Sequence, residues 1–200
     1  MNDTWAIVLA AGLSTRMGTQ KLLLPFDGKT IVEKVVENIL SSGIMHIKVV
    51  LGSDQVEIAK ALKSWTVSFI RNENFQKGMH SSVICGVSSL PLTARAVVIF
   101  LGDQPFIPAK VTEKVVAAWR SSGKGIVIPL YEGKRGHPSL YDLKYRNELS
   151  NLDPAIGLRS IAQKFPEDIC EVETFSPEII RDIDTKDDYI NEINKTTHHG

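Results

Sequence analysis

Glycine, hydroxyl and basic residues are concentrated in the segment that follows the first apolar run of the chain. Gly12 and Gly18 bracket a turn in which backbone N–H groups can converge on an anion. Arg16 and Lys21 add a fixed and a flexible positive charge, and Ser14 adds a hydroxyl donor. These groups together suit the triphosphate of a nucleotide. The spacing matches neither the P-loop nor the three-glycine dinucleotide motif, and a glycine-bearing loop with two surface cations is the alternative interpretation.

An aspartate follows the most apolar run of the sequence, residues 96–101. Mg²⁺ takes hard oxygen ligands and is often held by one or two carboxylates together with substrate phosphates. Asp103 has the chemistry of such a ligand, and Gly102 beside it leaves room for a bound group. Because glycine, aspartate and proline are also common in turns, a plain turn is the alternative. The segment described above, residues 9–21, is called the first loop below. Its presence in the same chain favours a metal site at Asp103 over a plain turn.

Two further aspartates stand near the end of the chain, on either side of Ile183. An extended segment places alternate side chains on one face, so the carboxylates of Asp182 and Asp184 are expected to point the same way. We predict Asp184 as the second metal ligand, with Asp182 as the alternative. Capping of the last helix by Asp184 or Thr185 is the competing interpretation.

Two polar segments are candidates for binding the base and the acceptor. Gly78, Ser81 and Ser82 lie at the predicted start of a helix, where backbone N–H groups favour an anion or the edge of a base. Residues 133–138 form a cationic loop whose two basic side chains and imidazole can receive an anionic acceptor. A solvated hairpin tip is the alternative for this loop.

Short apolar runs alternate with amphipathic stretches along most of the chain. They predict strands at residues 5–10, 46–51, 67–70, 96–101 and 125–129, and helices at residues 30–42, 81–90 and 108–121. Such repeats predict a mainly parallel sheet covered by helices on both faces, with the ligand beyond the carboxyl ends of the strands. Residues 169–175 are predicted as an antiparallel edge strand and residues 187–194 as a closing helix. We expect one domain over residues 1–195 and a disordered tail at residues 196–200.

The composition argues against several classes of protein. Basic and acidic residues balance at 23 each, so the chain lacks the broad positive field that attracts nucleic acid or anionic membranes. Two cysteines, Cys85 and Cys170, are too few for a disulfide framework or a zinc cluster and indicate a reducing compartment. The first apolar run is too short for a signal-peptide core or a membrane span. We therefore expect a cytoplasmic protein with neither nucleic acid nor membrane as a partner.

The residues at positions 9–21 resemble the signature of the MobA-like NTP transferases, and within that family they are most similar to the molybdenum cofactor cytidylyltransferases. The resemblance rests on the pattern Leu-Ala-Ala-Gly-x-Ser-x-Arg-Met-Gly-x-x-Lys and spans nearly the whole chain. It implies a single-domain, Rossmann-like, three-layer α/β/α fold with a mostly parallel sheet. It also implies three catalytic residues, with Arg16 and Lys21 on the phosphates and Asp103 on the metal.

The same resemblance assigns further residues to the nucleotide and to the acceptor. The nucleotide-binding set comprises Leu9, Ala10, Ala11, Gly12, Ser14, Arg16, Gly18, Lys21, Gly78, Ser81, Ser82 and Asp103. The acceptor-binding set comprises Gln104, Gly136, His137, Pro138 and Arg159. Ala11 before Gly12 is typical of the members that use CTP, whereas the guanylyltransferases tend to carry two glycines. The sequence departs from the family pattern at Lys186, where a proline is usual, and in residues 153–159, where few positions match.

From these features we expect a Mg²⁺-dependent nucleotidyltransferase. The expected reaction moves CMP from CTP to the phosphate of a molybdopterin-type cofactor and releases pyrophosphate, with a molybdoenzyme or its chaperone as a further partner. Three alternatives remain open: a guanylyltransferase of the same family, an enzyme that activates a sugar or polyol phosphate, and a nucleotide-binding protein that delivers a cofactor without catalysis. The first loop together with Asp103 argues against the last of them.

Overall fold

The apolar runs of the sequence form the strands of one central sheet. The computed structural model describes residues 3–12, 17–52 and 55–197 of the chain. The strands are β1 Thr4–Ala10, β2 Pro25–Phe26, β3 Lys29–Thr30, β4 His46–Leu51, β5 Ser68–Arg71, β6 Ala96–Leu101, β7 Ile126–Tyr131, β8 Lys134–Arg135, β9 Ser139–Asp142 and β10 Ile169–Glu173. The α-helices are α1 Ile31–Ser41, α2 Gln55–Ala61, α3 Met79–Ser88, α4 Ala109–Ser122, α5 Arg146–Leu149, α6 Arg159–Lys164 and α7 Lys186–Thr197.

The strands of the main sheet follow the order β10-β7-β9-β6-β1-β4-β5, with β8 paired to β7. Strands β1, β4, β5, β6, β7 and β10 run parallel, and β9 runs antiparallel to both of its neighbours. Strands β2 and β3 form a separate antiparallel pair. The predicted α/β class with a mostly parallel sheet is therefore confirmed.

Helices cover both faces of the sheet and produce three layers. Within β1, Ala6, Val8 and Ala10 pack into one core cluster with α1, α2 and α4. Ile7 points the other way and packs into a second cluster with α3, α5 and α6. This alternation follows from the two-residue period of a strand. Burial on both faces explains why the strands appear in the sequence as continuous apolar runs.

The edge strand β10 does not run in the direction that the sequence predicted. It pairs with β7 in parallel, whereas the sequence predicted an antiparallel strand. The reason is β9, which reverses the chain and ends with Asp142 beside Ala96, the first residue of β6. The next strand therefore starts at the amino end of the sheet and runs parallel to β7.

The last helix is longer than the sequence predicted. Helix α7 continues to Thr197, two residues into the predicted tail, because neither glycine nor proline interrupts the sequence there. Residues 198–200 lie outside the part of the chain that the structure describes. No helix in the described ranges combines the length and the apolar character that a bilayer crossing requires.

The fold brings the ends of β1 and β6 together. The two strands are neighbours, with Leu9 paired to Leu101, so the segments after them leave the sheet side by side. The Gly102 N–H donates to the Leu9 carbonyl at 3.1 Å. A Cβ at Gly102 would lie 2.9 Å from the same oxygen, so glycine is required for this close approach. Ala11 and Gly12, which follow β1, therefore lie beside Asp103 at the carboxyl edge of the sheet.

Candidate active site

A cleft of about 460 Å³ opens at the carboxyl ends of β1 and β6, beside the start of α3. Ligands of open parallel sheets bind at this edge. Many of the residues predicted for the nucleotide and the metal line the cleft, namely Leu9, Ala11, Gly12, Lys21, Gly78, Ser82, Asp103 and Asp184. Segments that are far apart in the sequence thus contribute to one site.

The centre of the cleft is an ion triad formed by Lys21, Asp103 and Asp184. The Lys21 Nζ lies 2.6 Å from Asp103 Oδ2 and 2.9 Å from Asp184 Oδ1. Burial acts to lower the pKa of Lys21, but the two carboxylates outweigh it and hold the pKa above its ordinary value. The lysine therefore remains an ammonium, although its side chain is only 12% exposed.

The second aspartate segment lies directly against the first. The Ile183 side chain is fully buried in the core, and its N–H donates to the Asp103 carbonyl at 3.2 Å. Asp182 and Asp184 on either side of it both line the cleft, as an extended segment requires. Burial raises the pKa of Asp182, and the negative charges of Asp184 and Asp103 raise it further. The cleft is therefore a strongly acidic environment around one ammonium.

Capping of the last helix is carried out by Thr185 and Asp188. The Asp188 carboxylate accepts hydrogen bonds from the N–H and the hydroxyl of Thr185, at 2.8 and 2.7 Å. The Thr185 hydroxyl in turn accepts from the Asp188 N–H at 3.1 Å, which completes a reciprocal cap. The Asp184 carboxylate contacts Lys21. The alternative role predicted from the sequence, capping of the last helix, is therefore filled by Thr185.

The donor set fits a divalent cation that shares its ligands with a substrate. Asp103 and Asp184 supply hard carboxylate oxygens that converge on one point, the position of the Lys21 ammonium. Among the described residues, no group of three or more His, Cys, Asp or Glu is arranged to hold a metal ion. Mg²⁺ often takes only one or two protein carboxylates and completes its shell with phosphates and water. The cleft matches this partial ligand set.

The two serines predicted to bind the nucleotide lie at the start of α3 but line different surfaces. Ser82 and Gly78 line the cleft. Ser81 faces the neighbouring groove, and its hydroxyl lies 2.7 Å from the Gly78 carbonyl and 2.9 Å from the Asn74 carbonyl. Both hydroxyl oxygens are contacted by the side chain of Asn72, a buried residue that the sequence analysis did not single out.

Most of the predicted acceptor-binding residues form a layer behind the cleft. The Gln104 side chain donates to the Arg181 carbonyl at 2.7 Å, and the His137 N–H donates to the Ile179 carbonyl at 3.0 Å. A Cβ at Gly136 would lie only 2.3 Å from the same Ile179 oxygen. These contacts hold the segment that carries Asp184, so they position the site from behind. Direct contact of these residues with an acceptor stays a prediction.

The ring of His137 belongs to this layer. The peptide bond between His137 and Pro138 is cis, and Pro138 is buried. Burial lowers the pKa of His137, although a hydrogen bond to the backbone of Ile99 and the charge of Asp103 oppose this effect. The Nδ1 atom of the ring and Oε1 of Gln104 are buried without a partner in the described part of the chain. Burial therefore disfavours a positive charge on the imidazole.

Several predicted residues lie elsewhere. Arg159 is exposed at the start of α6 and does not line the cleft. Ala10 is buried at the end of β1, and Gly18 adopts a φ of 67° in the turn after the first loop. Ser14 and Arg16 fall outside the described residues, so their contacts with phosphate stay predictions.

Sequence reasoning missed the apolar part of the cleft. Phe75, Gln76 and Met79 line it, and the Met79 side chain is 56% exposed. An aromatic residue and a methionine beside a glycine, just after a strand, are a weak signal because the same residues are common in protein cores. Their exposure at the cleft becomes evident only once α3 is placed against the sheet.

Comparison with known proteins identifies the family. Residues 6–169 match the family model of the MobA-like NTP transferase domain. The chain is 29% identical to molybdenum cofactor cytidylyltransferase of Escherichia coli (strain K12), over 92% of each chain. It is 25% identical to nicotine blue oxidoreductase of Paenarthrobacter nicotinovorans, over 90% of this chain and 91% of that one. A solved nucleotidyl transferase of Methanothermobacter thermautotroptrophicus has the same fold, with a TM-score of 0.84 and 24% identity over 100% of both chains.

The family match extends over most of the chain and includes β1, β6 and the first loop. The strand ends that form the cleft therefore lie within the matched region, whereas the segment that carries Asp182 and Asp184 lies beyond it. On the sequence match and the fold together, the chain belongs to the MobA-like NTP transferase family and is a nucleotidyltransferase.

Proposed function

We propose that this enzyme transfers CMP from CTP to the terminal phosphate of a molybdopterin-type cofactor, releases pyrophosphate and depends on Mg²⁺. The observation that carries the proposal is the convergence of Asp103 and Asp184 on the Lys21 ammonium, in a cleft that Gly12 also lines. Two carboxylates beside a lysine and a glycine-bearing segment suit a polyphosphate that is bound together with a divalent cation.

The reaction requires charge neutralisation and alignment more than covalent chemistry by the protein. An oxygen of the acceptor phosphate attacks the α-phosphorus of the nucleotide in line. The bond between that phosphorus and the bridging oxygen of the β-phosphate breaks, and pyrophosphate leaves. Lys21, Arg16 and the N–H groups of the first loop stabilise the charge on the leaving group. Mg²⁺ held by Asp103 and Asp184 supplies further neutralisation of phosphate charge when it is bound.

A cysteine nucleophile plays no part in this scheme. Cys85 lies in the groove on the other side of the α3 start, where its Sγ is 3.6 Å from the Arg71 carbonyl. Burial raises the pKa of the Cys85 thiol, and the nearby Lys48 only partly offsets the increase. A raised pKa keeps the thiol protonated and therefore weakly nucleophilic.

The choice of CTP and of a pterin acceptor is supported by sequence features and by one relative. Ala11 before Gly12 is typical of the CTP-using members, and the Escherichia coli relative is a molybdenum cofactor cytidylyltransferase. The Paenarthrobacter relative has an oxidoreductase name at nearly the same coverage, so overall similarity alone does not choose the reaction. The acidic pair at a polyphosphate-binding loop favours nucleotidyl transfer.

The test is a pyrophosphate-release assay with CTP, GTP, ATP and UTP, each with and without molybdopterin, in Mg²⁺ and in EDTA. We expect release only with CTP, acceptor and Mg²⁺ together. Pyrophosphate release with GTP in place of CTP would identify a guanylyltransferase. Release when a sugar or polyol phosphate is added in place of molybdopterin would show that the acceptor is not a pterin. Nucleotide binding without turnover on any acceptor would favour a delivery protein.

The Asp103→Asn variant tests the proposed metal site. It keeps the size of the side chain but removes the charge, and loss of a charge-stabilising group at such a site costs at least about a hundredfold in turnover. Asp187→Asn is the matched control, because Asp187 is exposed on α7 and does not line the cleft. Near-normal turnover of Asp103→Asn at saturating Mg²⁺ would contradict the proposed role.

A further inference from the structure

Asn72 is a buried amide that contacts the two serines at the start of α3. It follows β5 and is 3% exposed. Its Nδ2 lies 2.9 Å from Ser81 Oγ and 3.0 Å from Ser82 Oγ, and its Oδ1 lies 2.9 Å from the Asn74 backbone nitrogen. We infer that Asn72 is a positioning residue that fixes the Ser82 hydroxyl as a hydrogen-bond donor to the base of the nucleotide. This inference rests on the proposed function, because it takes the ligand of the cleft to be a nucleotide.

The orientation of the Asn72 amide is fixed by the backbone. The Asn74 N–H can only donate, so the atom that faces it must be the carbonyl oxygen Oδ1. The NH₂ group therefore faces the serines. Because an amide nitrogen only donates, both serine oxygens must accept from Asn72.

The two serines differ in what happens to their own protons. The Ser81 hydroxyl has backbone carbonyls at 2.7 and 2.9 Å, so its proton is already used within the protein. The Ser82 hydroxyl accepts from Asn72 and has no acceptor for its proton among the described residues. Ser82 lines the cleft, so its proton is available to a ligand there.

A donor at Ser82 selects for an acceptor on the ligand. The proposed function assigns the triphosphate to Lys21 and the first loop, so the cleft lining at the start of α3 is assigned to the base. Cytosine presents two adjacent acceptors, O2 and N3, on its pairing edge, whereas guanine presents two adjacent donors beside a single acceptor. A hydroxyl that is held as a donor therefore favours cytosine over guanine.

The Asn72→Asp variant reverses this arrangement with almost no change in shape. One carboxylate oxygen still accepts from the Asn74 N–H, but the other can no longer donate. The Ser82 hydroxyl, whose proton has no other acceptor among the described residues, then donates to the new carboxylate and offers only lone pairs to the cleft. The preference for a base with acceptors should therefore fall, and the preference for a base with donors should rise.

The experiment measures equilibrium binding of CTP, GTP, UTP and ATP in the presence of Mg²⁺ and without acceptor. For Asn72→Asp we expect the ratio of CTP to GTP affinity to fall by about tenfold or more. For Ser82→Ala, which removes the donor, we expect CTP binding to weaken by roughly twofold to tenfold, as for the loss of one hydrogen bond. Ser89→Ala is the matched control, because the Ser89 hydroxyl just after α3 donates to the Gly86 carbonyl at 2.6 Å and Ser89 does not line the cleft. Its ratio of CTP to GTP affinity should equal that of the unmodified protein.

The outcomes separate this inference from the proposed function. If the unmodified protein binds no nucleotide, the proposed function fails. If it binds CTP, and Asn72→Asp or Ser82→Ala weakens all four nucleotides equally, the Ser82 hydroxyl contacts the ribose or phosphate and the inference is overturned. Thermal unfolding of each variant shows whether it is folded. If Asn72→Asp does not fold, the Ser82→Ala and Ser89→Ala pair still decides, because only Ser82→Ala should lower the ratio of CTP to GTP affinity.

Discussion

The Lys21→Met variant probes the ion triad at the centre of the cleft. Methionine has nearly the length of lysine but carries no charge, so the substitution keeps the packing and removes the ammonium between Asp103 and Asp184. The two carboxylates, which lie 2.6 and 2.9 Å from the Lys21 Nζ, then repel each other without a cation between them. We expect the variant to be less stable than the unmodified protein in the absence of metal.

The size of the loss follows from the exposure of the three side chains. Removal of one partner of a buried pair costs about 3–5 kcal/mol, whereas an exposed pair contributes about 0–1 kcal/mol. The Lys21 side chain is 12% exposed, and those of Asp103 and Asp184 are 19% and 41% exposed, so the triad lies between these limits. We expect a loss of about 2 kcal/mol, which for this chain length lowers Tm by roughly 4–8 °C.

The assay compares thermal unfolding in EDTA and in Mg²⁺ or Mn²⁺, without nucleotide. A divalent cation is attracted by the same carboxylates as the ammonium, so the metal should stabilise Lys21→Met more than the unmodified protein. Lys34→Met is the matched control, because Lys34 on α1 also lies between two carboxylates, Asp27 and Glu37 at 2.8 and 2.9 Å, but its side chain is more exposed than that of Lys21, at 22%. It should lose less than about 1 kcal/mol.

Two results would refute this reasoning. Equal Tm values for Lys21→Met and the unmodified protein in EDTA would mean that the triad contributes nothing to stability. Equal stabilisation of both proteins by the divalent cation would mean that the metal and the ammonium do not share Asp103 and Asp184. A metal response of Lys34→Met as large as that of Lys21→Met would point to general ionic effects.

Three further variants test how the fold supports the site. Burial acts to raise the pKa of Asp168, but hydrogen bonds from a lysine, a tyrosine and a backbone N–H outweigh it and lower that pKa. Asp168→Asn should therefore lower Tm at neutral pH. The difference in Tm between the variant and the unmodified protein should disappear as the pH falls through the lowered pKa. Gly102→Ala would place a Cβ 2.9 Å from the Leu9 carbonyl oxygen, so denaturant unfolding should show a loss of about 1–3 kcal/mol and turnover should fall. Gly136→Ala would press on the Ile179 carbonyl oxygen at 2.3 Å, and it should reduce both stability and turnover, measured in the same way.

The sequence predicted those parts of the fold that have strong local patterns. Strands β1 and β6 were recognised because burial on both faces makes them continuous apolar runs. The alternation around Ile183 also predicted correctly that Asp182 and Asp184 share one face. The antiparallel direction of the four-residue strand β9, which reverses the chain, was not anticipated. A strand of this length carries too little periodicity to reveal its direction.

The site was predicted less completely, since its contacts join distant parts of the chain. Lys21 is separated by 82 residues from Asp103 and by 163 from Asp184, and no local pattern indicates that the three meet. Asn72 shows no sequence signal beyond a polar residue after a strand. Its role depends on the two serines nine and ten residues later, which become neighbours only when α3 packs beside β5.

The charge pattern of the cleft bears on how a nucleotide enters it. The motif alone indicated a cationic site for a triphosphate, but the described lining residues comprise one basic side chain, Lys21, and three acidic ones, Asp103, Asp182 and Asp184. The raised pKa of Asp182 reflects this excess of negative charge after the effect of burial. A free polyanion would be repelled from such a surface, whereas a nucleotide that arrives with its divalent counter-cation would not. We therefore expect nucleotide binding to depend on a divalent cation, as the proposed function requires.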